Sequence, residues 1–350
     1  MAFRRILVAG ALMLVAAAVL NARAAARPGP ADDPAPIAFH AGVNDGRAEF
    51  RAVFCGLMRR DGASCGAWLR QFPDEAAPAK PPPLDDAPAL NVVIVGGLFN
   101  ECLGAGFTFR DAAAALRAGG YRVSYAPVPG RTSADANAAI IRAHVANERA
   151  AMPHTPLVIV AYSKGVTDTM TALAAYPELA EAIRAVIGVA GVVAGSRAAD
   201  DLLTLYDASI GRLSTQGCPA GDGGEVSSLT HAYRRNWLAT HSLPAAPLYF
   251  SIVALPTPQR VSSVFAPFRR RLARFDARND GQMIYADAIL PGSRLLAYAN
   301  ADHFAVALPF ADTMPGARLL GINRNDFPRA QMIEAAVRIA QARLAALKLP

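Results

Sequence analysis

Several protein classes are excluded by what this 350-residue chain has little of. Lysine occurs only as Lys80, Lys164 and Lys348, so nearly all of the cationic charge is arginine. Aromatic residues are sparse, and no basic stripe is interleaved with them, so nothing argues for nucleic-acid binding. The four cysteines form no CxxC pair and have no histidine pair close by, which excludes the usual zinc spacings. No cofactor motif, metal-ligand cluster or internal repeat is visible, so no cofactor is expected. The excess of arginine comes with abundant alanine and fits biased coding as well as selection by a partner.

What the chain does have begins at its N-terminus. Arg4 and Arg5 precede an apolar run from Ile6 to Leu20, and Ala22-Arg23-Ala24 has the small-x-small form of a cleavage site. Residues 1–24 therefore read as a secretory signal peptide, and the mature protein as periplasmic or secreted. An uncleaved segment would instead hold the protein near a membrane, but the run is short for a bilayer span. No cysteine lies at the junction to carry a lipid. Cleavage removes three arginines and no acid, taking the formal charge from +7 to about +4 over about 325 residues. In an exported chain four cysteines read first as two disulfides, with three pairings available. Cys55 and Cys65 flank a short polar segment suited to a local loop, which leaves Cys102 with Cys218.

Residues 25–90 are rich in proline and alanine and read as an N-terminal arm. Helices are expected at Phe50 to Met58 and around Trp68 to Phe72, and Lys80-Pro81-Pro82-Pro83 as a stiff linker. From residue 91 the pattern alternates. Strands are expected at Asn91 to Val95, Tyr121 to Tyr125, Leu157 to Ala161 and Ala185 to Val193. Helices fall between them, at Ala112 to Ala118, after a capping box at Thr132-Ser133-Ala134-Asp135, and after Ser163. Near-continuous apolar strands separated by helices mean a mostly parallel sheet covered on both faces. Residues 195–246 interrupt the alternation and read as a cap over the strand ends, with a helix near Tyr233 to Leu238. Strands resume at Leu248 to Ala254 and Arg294 to Ala299, and a long helix from Arg329 to Leu347 closes a 91–350 domain.

Ala161-Tyr162-Ser163-Lys164-Gly165 follows the apolar run Leu157 to Val160 and reads as a strand, a sharp turn and a helix that exposes Ser163. Small residues two positions either side of the serine permit close approach of neighbouring backbone. A serine hydroxyl needs a histidine as base, and the histidine needs a carboxylate. On such a sheet they follow in the order serine, acid, histidine at the carboxyl ends of strands. Of the six histidines only His303 follows the last strand; His40, His144 and His154 precede the nucleophile, and His231 and His241 lie in the cap. Asp280, in the turn Asn279-Asp280-Gly281, is the leading acid, with Asp276 and Asp287 as rivals. Asp302 is disfavoured because neighbouring side chains on extended backbone point apart. Two amides are needed to hold the oxyanion: that of Lys164, and that of Leu98 after Gly96-Gly97, where glycine lets the backbone turn inward. A Ser-Lys dyad is rejected, since Lys164 cannot fold back onto its sequence neighbour.

With these residues in place the chain resembles α/β-hydrolase esterases and lipases, in particular bacterial triacylglycerol-lipase-like proteins, from about Asn91 to Pro309. The resemblance is carried by Val95-Gly96-Gly97-Leu98-Phe99, the elbow around Ser163, Gly195-Ser196-Arg197-Ala198-Ala199-Asp200, Asn279-Asp280-Gly281 and Asp302-His303. It implies an α/β-hydrolase fold with a lid that begins after the sixth core strand, and an Asn-Asp-Gly loop that supplies the triad acid. Two departures stand out: Gly96-Gly97 replaces the usual His-Gly, and Ala-Tyr-Ser-Lys-Gly replaces Gly-His-Ser-x-Gly. The expected activity is hydrolysis of a small-molecule or lipid ester, rising with pH through the ordinary histidine range of ~6 to 7. Polyester depolymerisation, thioester hydrolysis and non-catalytic binding at the envelope are the alternatives.

Overall fold

The structure, a computed structural model, describes residues 42–77, 89–104, 106–208, 210–215 and 217–347. The signal-peptide reading, residues 25–41 of the arm and the Lys80-Pro81-Pro82-Pro83 linker lie outside the described residues.

Among the described residues eight strands form one sheet: β1 (Asn44–Asp45), β2 (Leu69–Arg70), β3 (Asn91–Val95), β4 (Arg122–Tyr125), β5 (Leu157–Tyr162), β6 (Ile183–Val189), β7 (Leu248–Ala254) and β8 (Arg294–Ala299). The order is β1-β8-β7-β6-β5-β3-β4, every neighbouring pair parallel, with β2 antiparallel on β8. The longer helices are α1 (Arg47–Arg60), α2 (Arg110–Ala118), α3 (Ala134–Ala151), α4 (Lys164–Ala175), α5 (Arg197–Ala208), α6 (His231–Thr240) and α7 (Arg329–Ala346).

The central strands are apolar throughout because both faces are covered, and the period of two deals their side chains into two layers. On β5, Val158, Val160 and Tyr162 join the layer of α1, α2 and α7, with Phe50, Phe54, Leu116 and Ile333. Leu157, Ile159 and Ala161 join the opposite layer, with Ile141 of α3 and Met170 and Leu173 of α4. Burying one such side chain contributes roughly 1.5–3 kcal/mol, so these two layers dominate the stability.

The N-terminal segment completes the sheet rather than lying loosely on it. β1 pairs with the start of β8 and β2 with its end, so residues 42–77 cover an edge that would otherwise present unpaired backbone groups. Two arginines of α1 fasten it, Arg47 to Asp45 and Asp74, and Arg51 to Glu75, and a Cys55–Cys65 disulfide closes it locally. The helix expected around Trp68 to Phe72 is not formed. The free edge of β8 draws Leu69 and Arg70 into a ladder, and Phe72 packs edge-on to Tyr298 with ring centres 5.4 Å apart.

Two further expectations differ. No capping box forms: α3 starts at Ala134 without a side-chain cap, and the Ser133 N–H donates instead to Asp222 Oδ2 at 2.7 Å. The strand expected to run to Val193 ends at Val189, because Ala190 turns to φ 46°. Beyond it the Val193 and Ala194 amides donate to the Asp287 carbonyl rather than to a strand.

Residues 195–246, with α5 and α6, are tied to the rest by long-range contacts. The Cys102–Cys218 disulfide links them to the segment after β3. Arg131 donates to the Gly211 and Leu213 carbonyls at 2.9 Å, His231 bonds Asp287 at 3.1 Å, and Arg271 pairs with Asp201 at 2.6 Å. Among the described residues no helix is long and apolar enough to cross a membrane.

Candidate active site

At the end of β5 the backbone of Ser163 adopts φ 52° and ψ −121°, a conformation that costs a non-glycine residue roughly 1–3 kcal/mol. Hydrogen bonds on both sides hold it there. Its N–H donates to the Val189 carbonyl at 3.1 Å, and its carbonyl accepts from Val166 at 3.1 Å and Val192 at 3.2 Å. Gly165 is required by the packing, since a Cβ there would lie 2.5 Å from the carbonyl oxygens of Val95 and Gly96. The turn thus lifts the serine side chain to the mouth of α4, whose first amides have no intrahelical acceptor.

His303 and Asp280 arrive from loops at the same ends of the strands. Ser163 Oγ lies 2.9 Å from His303 Nε2, and His303 Nδ1 lies 2.7 Å from Asp280 Oδ2. The other carboxylate oxygen, Oδ1, accepts from the Gln282 amide at 2.8 Å and the Met283 amide at 2.6 Å. A carboxylate only accepts, so it holds the imidazole proton on Nδ1 and leaves the Nε2 lone pair facing the serine. All three side chains are buried. The other carboxylates are committed elsewhere: Asp276 to Arg278, and Asp287 to His231. Asp302 faces away from the ring and accepts from Ser262, Phe304 and Ala305 amides. Burial pushes its carboxyl up to about 6, against the lowering influence of the Ala305 and Ser262 amides.

Gly97 lies directly against Ser163, where an added Cβ would come 3.1 Å from Ser163 Cβ. Leu98 follows it and, with Ser163 and His303, lines a cavity of about 160 Å³. On this measure one water needs about 10–15 Å³, so the space suits a substantial ligand. Its walls are apolar: Leu202, Val226 and Leu229 come from the insertion, and Leu308, Met314 and Ile322 from the chain after His303. Among the described residues no Lys, Arg, Asp or Glu side chain lines it. Among the described residues no cluster of three or more His, Cys, Asp or Glu is arranged to hold a metal ion.

The two unusual residues of the elbow have structural partners that local sequence does not reveal. Lys164 Nζ turns away from the serine to Asp168, 2.6 and 2.8 Å from its two oxygens, and Asn137 Nδ2 donates to Asp168 Oδ2 at 2.8 Å. The i,i+4 spacing of Lys164 and Asp168 is the one signal available for that pair. The Tyr162 hydroxyl donates to the His303 carbonyl at 2.7 Å. Only its strand register, which puts it on the α7 face with Val158 and Val160, hints at where it points.

No protein-family model matches the chain, and no curated protein matches it. Among solved structures it is similar to a carboxyl esterase of metagenomic origin, with 35% identity over 89% of this chain and 97% of that one, at a TM-score of 0.80. The mature form of a Bacillus licheniformis lipase shares 21% identity over 64% of this chain and 89% of its own, at a TM-score of 0.51. At that identity the likeness speaks for the fold alone. By its extensive similarity to the metagenomic esterase and its mostly parallel sheet, the chain belongs to the α/β-hydrolase superfamily that includes carboxyl esterases and lipases.

Proposed function

We propose that the protein is an exported serine hydrolase of uncharged carboxylic esters, working through Ser163, His303 and Asp280. The observation that carries this reading is the unbroken hydrogen-bond chain from Ser163 Oγ through His303 to Asp280, set into an apolar cavity. Ser163 Oγ adds to the acyl carbon while its proton passes to His303 Nε2. The carbonyl oxygen takes the negative charge and is held by the Leu98 and Lys164 amides. Collapse breaks the ester bond, the leaving alcohol takes the proton from Nε2, and an acyl-enzyme remains. Water, deprotonated by the same nitrogen, releases the acid and restores the serine. Asp280 stabilises the imidazolium in both halves.

The uncharged, apolar lining favours an ester with an alkyl or aryl chain over one bearing a charge, because a lone buried charge is expensive. Residues 195–246 serve as the cap that supplies one wall. Export is supported by the N-terminal segment together with two disulfides. The test is hydrolysis of p-nitrophenyl esters from acetyl to dodecanoyl, with a succinyl ester as the charged comparison. We expect turnover of the alkyl series, weak turnover of the succinyl ester, and none with Ser163→Ala. Equal activity of Ser163→Ala, or preference for the charged ester, overturns the reading.

A further inference from the structure

We infer that Tyr162 is a positioning residue for His303, and that its hydroxyl fixes the main chain from which the imidazole projects. This rests on the serine-hydrolase reading above. His303 lies in an irregular segment, not in a helix or strand. Around it the carbonyls of Asp302 and Phe304 accept main-chain amides, from Val306 and from Ala307 and Leu308 respectively. The His303 carbonyl has no such main-chain partner among the described residues and takes the Tyr162 O–H at 2.7 Å instead. On the other side, the His303 N–H donates to the Asp280 carbonyl at 3.2 Å. Both peptide groups of the histidine are therefore spent on the acid and on the residue beside the nucleophile. His303 is thereby registered to Asp280 by main chain and, through the Tyr162 side chain, to the strand that leads into Ser163.

The tyrosine ring contributes a second constraint. Its centre lies 5.2 Å from that of the imidazole with 38° between the planes, and Phe109 backs it at 6.0 Å. Rotation of the imidazole toward that side is blocked. Burial, reinforced by the charges of Asp280 and Asp302, pushes the phenol well above its ordinary value, so it remains a donor. Adjacency to Ser163 suits this position to the role, because a shift of β5 carries nucleophile and clamp together.

The test uses Tyr162→Phe, which keeps the ring and removes the hydroxyl, and Tyr162→Leu, which removes both. Steady-state kinetics on a p-nitrophenyl ester and the rate of fluorophosphonate labelling are read side by side. Small misplacement of a catalytic group costs up to about a hundredfold in rate. We expect kcat to fall about tenfold for Phe and about a hundredfold for Leu, with KM within about twofold and labelling slowed in proportion. Wild-type kcat in a folded Tyr162→Phe variant, or a loss confined to KM, overturns the inference. Should neither variant fold, Phe109→Leu carries the test. It loosens the ring while keeping the hydroxyl, and unchanged kcat there counts against the clamp. If the wild-type protein itself takes no label at Ser163, the underlying reading fails; if it labels and Tyr162→Phe is fully active, only the clamp fails.

Discussion

Ser163 and His303 meet across one hydrogen bond, yet they are held by different means. Ser163 directly follows β5, a strand paired on both sides, and its own N–H and carbonyl are satisfied by main chain from Val189, Val166 and Val192. His303 follows β8, whose outer edge is covered only by the short β1 and β2, and depends on the Tyr162 hydroxyl and the Asp280 loop. The Ser163 end is held by backbone alone, and the His303 end by a side chain and a loop contributed from far along the chain. Substitutions should therefore damage the two ends differently.

The largest effect is expected at the histidine end, where the loss is catalytic. Asp280→Ala leaves the imidazole without an orienting partner and the Gln282 and Met283 amides without an acceptor. Activity should fall by about 10⁴-fold while the protein still folds, measured as kcat against circular dichroism. A loss under tenfold would mean that Asp280 does not orient His303. At the nucleophile end, Gly165→Val should act through folding instead. Its Cβ would sit 2.5 Å from two carbonyl oxygens, and overpacking of this kind costs about 3 kcal/mol, readable in urea denaturation. Unchanged stability would remove the packing argument for the elbow. Splitting the Cys102–Cys218 disulfide by replacing both residues with serine should cost about 2–4 kcal/mol, since it joins distant segments. Equal denaturation midpoints for the two proteins would contradict this.

The smallest effect concerns pH. The Asp302 carboxyl is raised from an ordinary value of 3.8 to about 6, so the folded state favours its protonated form. Its contribution to stability is fully present below the ordinary value and is lost as pH rises through about 6. Asp302→Asn cannot ionise, and its melting temperature should vary less than that of the wild type between about pH 4 and 7. Parallel profiles for the two proteins would show that Asp302 does not titrate in that window.

The same contrast governs what is legible in the sequence. β3, β7 and β8 match the expected Asn91 to Val95, Leu248 to Ala254 and Arg294 to Ala299, because strands covered on both faces have a local apolar signature. Ser163, Asp280 and His303 are nominated by their order relative to those strands, and a parallel sheet delivers such loops to one end. The partners of Tyr162, Arg131 and Ser133 are not legible, because each lies tens of residues or more away and is chosen by packing. Leu69 and Arg70 depart from the expected helix for a related reason: the edge of β8 makes them a strand, and local propensity does not.

The central claim is that Ser163 is a nucleophile activated by His303. It is tested most directly by treating wild-type and His303→Ala proteins with a fluorophosphonate and mapping the adduct by mass spectrometry. The account predicts one adduct on the wild-type peptide containing Ser163, formed at least about 10³-fold more slowly without the histidine. An adduct on another serine, no adduct on folded protein, or equal labelling of the two proteins would contradict it.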